Sequence, residues 1–124
     1  MSPREAQSVV KILYLIRHAD AGDPSEWTGP DADRPLSGKG VKQAARLAAT
    51  LLAAETQIDS IRHSPARRCA ETATVLSAVL EVESAADDRL ANGPTLADLD
   101  RMLNRKGVHR LALVGHEPSL SRLV

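Results

Sequence analysis

Short, uninterrupted apolar runs alternate along this chain with longer stretches in which apolar residues recur every three or four positions. The first run, from Val9 to Ile16, is rich in β-branched residues and stops at Arg17-His18, which predicts a strand buried on both faces of a parallel sheet. Residues 21–35 follow neither period and are rich in Gly, Pro, Asp and Ser. They read as a loop rimming whatever site Arg17-His18 belongs to, with Trp27 pinning it to the body. Ser37 is placed to cap a helix of about three to four turns, with Val41, Ala45, Ala48 and Leu52 as its apolar stripe. Ile58 to His63 predicts a second strand. Ser64-Pro65 then predicts a sharp helix start, with serine as the cap and proline at the first helical position. Cys69, Ala73, Leu76 and Leu80 form the stripe of that helix, and Arg68 lies in its first turn.

Val82 to Ala86 predicts a weak third strand, followed by the acidic pair Asp87-Asp88. Thr95 with Asp98 has the form of a capping box for a helix carrying Leu96, Leu99 and Leu103 and ending at Gly107. Arg110 to Val114 predicts a last buried strand that terminates at Gly115-His116, and Pro118 opens a further helix. Strands alternating with helices imply right-handed crossovers, and so a three-layer α/β/α sandwich with a mainly parallel sheet. In such a sheet all strand carboxyl ends share one edge, and ligands bind outside it. Arg17, His18, Arg68 and His116 all arrive at that edge, and the two histidines become neighbours across adjacent strands.

Composition narrows the function. The chain of 124 residues reads as a single domain, 1–124, with residues 1–8 as a loose lead-in. Aromatic residues are only 2%, so the core has to be packed from Ala, Leu, Val and Ile. Lys+Arg and Asp+Glu balance at 16 each, which gives no electrostatic reason to expect a nucleic-acid or membrane partner. The single cysteine, Cys69, excludes an intrachain disulfide and suits a reducing compartment such as the cytoplasm. No transmembrane span or signal peptide is expected, because the first apolar run is short and contains Lys11. No CxxC, HExxH or glycine-rich P-loop occurs, so neither a metal nor another cofactor is expected.

Arginine offers a fixed fork of donors to oxyanions, and histidine titrates near neutrality. Two of each on one sheet edge store repulsion that a bound phosphoryl group relieves. A lone Arg-His pair is a weak signal, since Ile-Arg-His occurs twice, at 16–18 and at 61–63. The stronger signal is a set of four motifs: Leu15-Ile16-Arg17-His18-Ala19; Arg34-Pro35-Leu36-Ser37 with Gly40; Ser64-Pro65 with Arg68 and Thr72; and Gly115-His116-Glu117-Pro118. In these residues and their order the chain resembles the histidine phosphatase superfamily, with the phosphoglycerate mutase-like fold, and within it the small SixA-type phosphohistidine phosphatases.

The resemblance implies that His18 is a nucleophile that becomes phosphorylated, and that Arg17, Arg68 and His116 complete a phosphate pocket. Counting from Ser64, with Thr72 as a second anchor, selects Arg68 over the adjoining Arg67. For the acid that protonates a leaving group the nearest candidates are Asp87 and Asp88, of which Asp88 is the expected general acid. A phosphorylated histidine-containing protein is the expected substrate and inorganic phosphate the product, in a cytoplasmic, signal-transducing role. A small phosphate ester, handled by a phosphomonoesterase or mutase-like enzyme, is the alternative substrate, and a non-catalytic phosphate-binding module is a further alternative. Superfamily members continue with a further strand and helix, so a chain stopping at Val124 reads as truncated at its C-terminal end or as an unusually short domain.

Overall fold

Each apolar run becomes a strand in the computed structural model, which describes residues 11–116. The lead-in, Val9 and Val10, and the expected helix from Pro118 with Glu117, Leu120, Leu123 and Val124, lie outside the described residues. The elements run β1 (Ile12–Arg17), α1 (Gly38–Ala53), β2 (Ser60–His63), α2 (Arg67–Leu80), β3 (Ser84–Ala86), α3 (Leu96–Leu103) and β4 (Arg110–Gly115), with 3-10 turns at Pro24–Glu26, Asp31–Asp33 and Asp88–Leu90. The strands form one sheet in the order β1-β4-β2-β3, and every pairing is parallel.

Two cores sandwich this sheet. On one face Ile61, Ala112 and Val114 pack with Ala48 of α1 and with Cys69, Ala73 and Leu76 of α2. On the other, Leu111 and Leu113 pack with Leu99 and Met102 of α3. The alternation along β4 feeds both cores, so this strand is the one buried on both faces, as period-two side-chain placement requires. The result is the expected three-layer α/β/α architecture.

Five details differ from the sequence expectation. β1 is half-buried rather than buried, because it stands at the end of the described strand order. The buried stripe of α1 is Gly40, Ala44 and Ala48, while Val41 and Leu52 are 48% and 56% exposed. The rotation follows from a backbone contact: a Cβ on Gly40 would fall 1.9 Å from the Asp20 carbonyl oxygen. The helix therefore turns its smallest residues inward, and close approach outweighs side-chain bulk. α2 starts at Arg67, two residues later than expected, with Ala66 as a cap that offers no side chain. Trp27 donates its indole N–H to the Pro30 carbonyl at 2.9 Å and stays exposed, so it ties the loop to itself rather than to the body. α3 has its capping box at Thr95 and Asp98, although Leu96 is exposed and Met102 takes a place in the core instead.

Candidate active site

β1 and β4 run in register with Arg17 opposite Gly115, and the His18 N–H donates to the Gly115 carbonyl at 3.1 Å. That pairing delivers His18 and His116 to the same level of the sheet edge. Their rings meet edge to face, with centroids 5.7 Å apart and planes at 66°. The second Ile-Arg-His ends lower: His63 lies opposite Val114, whereas His18 lies one residue past the partner of Gly115. His63 lines neither cavity at this edge. Register separates two identical tripeptides.

The His18 ring is fixed by its own backbone. Nδ1 lies 2.7 Å from the Ala19 carbonyl oxygen, which can only accept, so the proton is on Nδ1 and the Nε2 lone pair is free. The Ala19 peptide is held in turn, its N–H donating to Thr72 Oγ1 at 3.1 Å, while the Thr72 hydroxyl donates to the Arg68 carbonyl at 2.8 Å. Burial lowers the His18 pKa from its ordinary value; the bond to Ala19 opposes this, and the charges of Arg68, Arg17 and Arg34 reinforce it. An unprotonated imidazole at neutral pH follows.

His116 is held by Ser64, whose buried hydroxyl lies 2.7 Å from Nε2. Its Nδ1 stands 3.4 Å from Arg68 Nη2. A guanidinium only donates, so Nδ1 accepts and Nε2–H is the donor to Ser64 Oγ. Burial lowers the His116 pKa as well, with Arg68 and His18 adding to the shift and Asp31 opposing it. Cys69 Sγ lies 3.7 Å from Nε2, and burial pushes its thiol up to about 11 against the pull of Arg68 and a Ser64 hydrogen bond. It serves as packing rather than as a nucleophile.

Arg68 comes from the first turn of α2 and is buried. It donates from Nη1 to the Asp31 carbonyl at 2.9 Å and from Nη2 to the Asp31 carboxylate at 3.0 Å. Its Nε is buried without an acceptor, so the fork is only partly satisfied. Arg67 points elsewhere and pairs with Glu71 at 2.9 Å, as one helical step demands. Arg17 is exposed and reaches the site from the other side. It lines a cavity of about 450 Å³ with His18, Arg34 and Gln43. Arg68 and His116 line a neighbouring one of about 510 Å³ with His18, Arg34 and Asp31. His18 and Arg34 border both, so the cationic cup has two lobes that meet at His18.

Three further residues belong to this arrangement. Arg34 donates to the Ala21 carbonyl at 2.7 Å and pairs with Asp31 at 3.2 Å. Its motif signals its importance but not its place. Ser64 is legible only as a helix-start residue, and Asp31 carries no signal at all in an aperiodic loop. The structure does not bring the expected acids here. Asp87 caps a turn and pairs with Arg89 at 2.6 Å, and Asp88 is exposed. Neither lines the cavities, to which the same segment contributes Ala91 and Asn92. The carboxylate facing His18 and His116 is Asp31, whose pKa is lowered by its Arg34 hydrogen bond and then by the charge of Arg68. Among the described residues no three His, Cys, Asp or Glu side chains gather as a metal site requires, and no helix is long and apolar enough to cross a membrane.

Residues 13–93 match the model of the histidine phosphatase superfamily, branch 1. The chain is 36% identical over 81 residues to the 55 kDa subunit of transcription factor tau from Saccharomyces cerevisiae, a match spanning 60% of this chain and only 19% of that protein. It is 33% identical over 113 residues to an uncharacterised protein of Picosynechococcus sp., covering 87% of this chain and 67% of that one. Among solved structures, one designated phosphohistidine phosphatase SixA from Agrobacterium tumefaciens superposes with a TM-score of 0.76 at 27% identity, covering 90% of this chain and 72% of that one.

Proposed function

The chain belongs to the histidine phosphatase superfamily, branch 1, and from that membership we propose that it is a phosphatase working through a phosphorylated His18, with phosphohistidine on a protein as its substrate. The observation that carries the reading is the His18–His116 pair, one imidazole with its Nε2 lone pair free and the other held by Ser64. In the first step the Nε2 lone pair of His18 attacks phosphorus, the bond from phosphorus to the substrate nitrogen breaks, and the departing imidazole takes a proton from water at the open mouth of the site. Water then attacks the phosphorylated His18, the new phosphorus–nitrogen bond breaks, and inorganic phosphate leaves. Arg17, Arg68 and His116 hold the phosphoryl oxygens. Each well-aimed donor of this kind is worth about 3–4 kcal/mol in the transition state. The incoming dianion opposes the downward pKa shift of His116, so a proton enters with the substrate and the ring becomes a double donor.

Imidazole is an undemanding leaving group, which suits a site where neither Asp87 nor Asp88 is at hand. The SixA likeness supports the same substrate. A small phosphate ester is the alternative substrate, but the carboxylate in this cavity, Asp31, is held ionised by Arg34 and Arg68 and is not set to protonate an alkoxide. Incubation with a phosphorylated histidine phosphotransfer domain, beside a panel of phosphate esters, decides between them. Release from the domain is expected. Turnover of esters alone would favour the second reading, and binding without release would favour a phosphate-binding module. A His18→Ala variant is expected to lose turnover, and normal turnover by it would remove the proposed nucleophile.

A further inference from the structure

Resting on the phosphoprotein reading above, we propose that the exposed face of α1 is the docking surface for an acidic patch on the phosphoprotein substrate. α1 carries Lys39, Lys42 and Arg46 and no acidic residue from Gly38 to Ala53. The spacing of three and then four places the three cations on one side of the helix. Together with Gln43 they line a shallow groove of about 420 Å³. Gln43 also lines the cavity that holds His18 and Arg17, and its Oε1 accepts the Asp20 N–H at 2.9 Å, so the groove is pinned to the mouth of the site. A cationic track therefore runs from Arg17 along about 10 Å of helix.

Three features distinguish this track from an ordinary solvated face. Among the described residues none of its cations is in an ion pair, whereas Arg34, Arg62, Arg67, Arg68, Arg89, Arg101 and Arg105 all are; Lys11, Lys106 and Arg110 are also outside ion pairs, but no helix carries them. Lys39 stands in the first turn of the helix, where the backbone dipole disfavours positive charge. The chain as a whole is neutral, with 16 residues of each sign, so the concentration is local. Stability alone does not reward such an arrangement, and an anionic partner does. The track is too short and the chain too neutral for a nucleic acid, whose binding needs charge over a longer path. An acidic protein patch beside the phosphohistidine matches its length and sign, and steers the phosphoryl group towards His18.

The test compares the wild type with a Lys39→Glu, Lys42→Glu, Arg46→Glu triple variant on two substrates. One is a phosphorylated histidine phosphotransfer domain with carboxylates around its histidine, and the other is p-nitrophenyl phosphate. For the protein substrate kcat/KM is expected to fall about tenfold or more in the variant, mostly through KM. The wild-type value should fall with added salt and the variant value should not. Turnover of p-nitrophenyl phosphate should be unchanged, which also shows that the variant is folded. A variant that processes the phosphoprotein as the wild type does, with the same salt dependence, overturns the docking surface and leaves the phosphatase reading standing. A wild type that turns over only the ester overturns the phosphoprotein reading and the docking surface with it.

Discussion

Replacing Ser64 by alanine tests whether His116 works only when its ring is held. Ser64 is 1% exposed, and its hydroxyl accepts from His116 Nε2 at 2.7 Å and from the Ala66 N–H at 3.3 Å. A made hydrogen bond contributes about 1 kcal/mol net, but a stranded buried donor costs about 1–3 kcal/mol. His116 is only half-buried and water can replace part of the loss, so about 1–2 kcal/mol of stability should go. For a domain of this size that is a fall in Tm of roughly 3–6 °C per kcal/mol. The catalytic effect is separate. With Ser64 gone, the Nε2 proton of His116 has no fixed acceptor and the ring samples the other tautomer and other rotamers. If the productive arrangement becomes about 1.4 kcal/mol less favourable, kcat falls about tenfold. The assay pairs thermal unfolding with kcat on p-nitrophenyl phosphate, and reads the tautomer from the ring nitrogen shifts of His116 by NMR. A Ser64→Thr variant keeps the hydroxyl and should recover most of the rate. A Ser64→Ala variant with lowered Tm but full kcat and an unaltered His116 tautomer would refute the reasoning, leaving the serine a fold residue only.

Other outcomes follow from the same geometry. Because burial, reinforced by the charges of Arg68, Arg17 and Arg34, holds the nucleophile His18 low, ester turnover should fall on acidification with a midpoint below pH 6.5; a midpoint at or above 6.5 would contradict this. In stability the unfolded imidazoles of His18 and His116, both held low in the fold, bind protons first, near a pKa of about 6.5. The two groups' contribution is thus fully present above that pH and is lost as pH falls towards the folded values, which urea midpoints on either side can check. An Asp31→Asn variant removes the internal anion that occupies Arg68, so inorganic phosphate should inhibit it at lower concentration. Weaker inhibition would mean that the carboxylate organises the arginines instead. Gly40→Ala sets a methyl group 1.9 Å from the Asp20 carbonyl oxygen, where no side chain can yield. It should cost about 2 kcal/mol or more and lower both Tm and activity, and a wild-type Tm would show that α1 shifts freely.

Local pattern was enough for the strands and for the edge on which the two arginines and two histidines meet. Parallel pairing then brings His18 and His116 together without any further information, and helical geometry separates Arg68 from Arg67. What pattern could not supply was set by contacts distant in sequence. The rotation of α1 is dictated by the Asp20 backbone, which no periodicity within residues 38–53 records. Ser64 looks like a helix cap until His116, on another strand, claims its hydroxyl. Asp31 sits in a loop without period, and only the fold shows that it faces Arg34 and Arg68. Asp88 shows the converse. Its position after a strand points to the site, but its turn leaves it in solvent while Asn92 takes the place beside the cavity.

The strand that joins the sheet together is the last of the four to be made. β1 and β2 share no ladder with each other, and each pairs with β4. On a ribosome, everything up to residue 109 can emerge with its two Ile-Arg-His segments having no common partner. Closing a loop of that length costs entropy before any contact repays it. The nascent chain should therefore stay unfolded, exposed to chaperones and proteases, until β4 inserts. Insertion of β4 would then create the hydrophobic core and the reactive pair of imidazoles in one event, so that no partly built chain carries half a site.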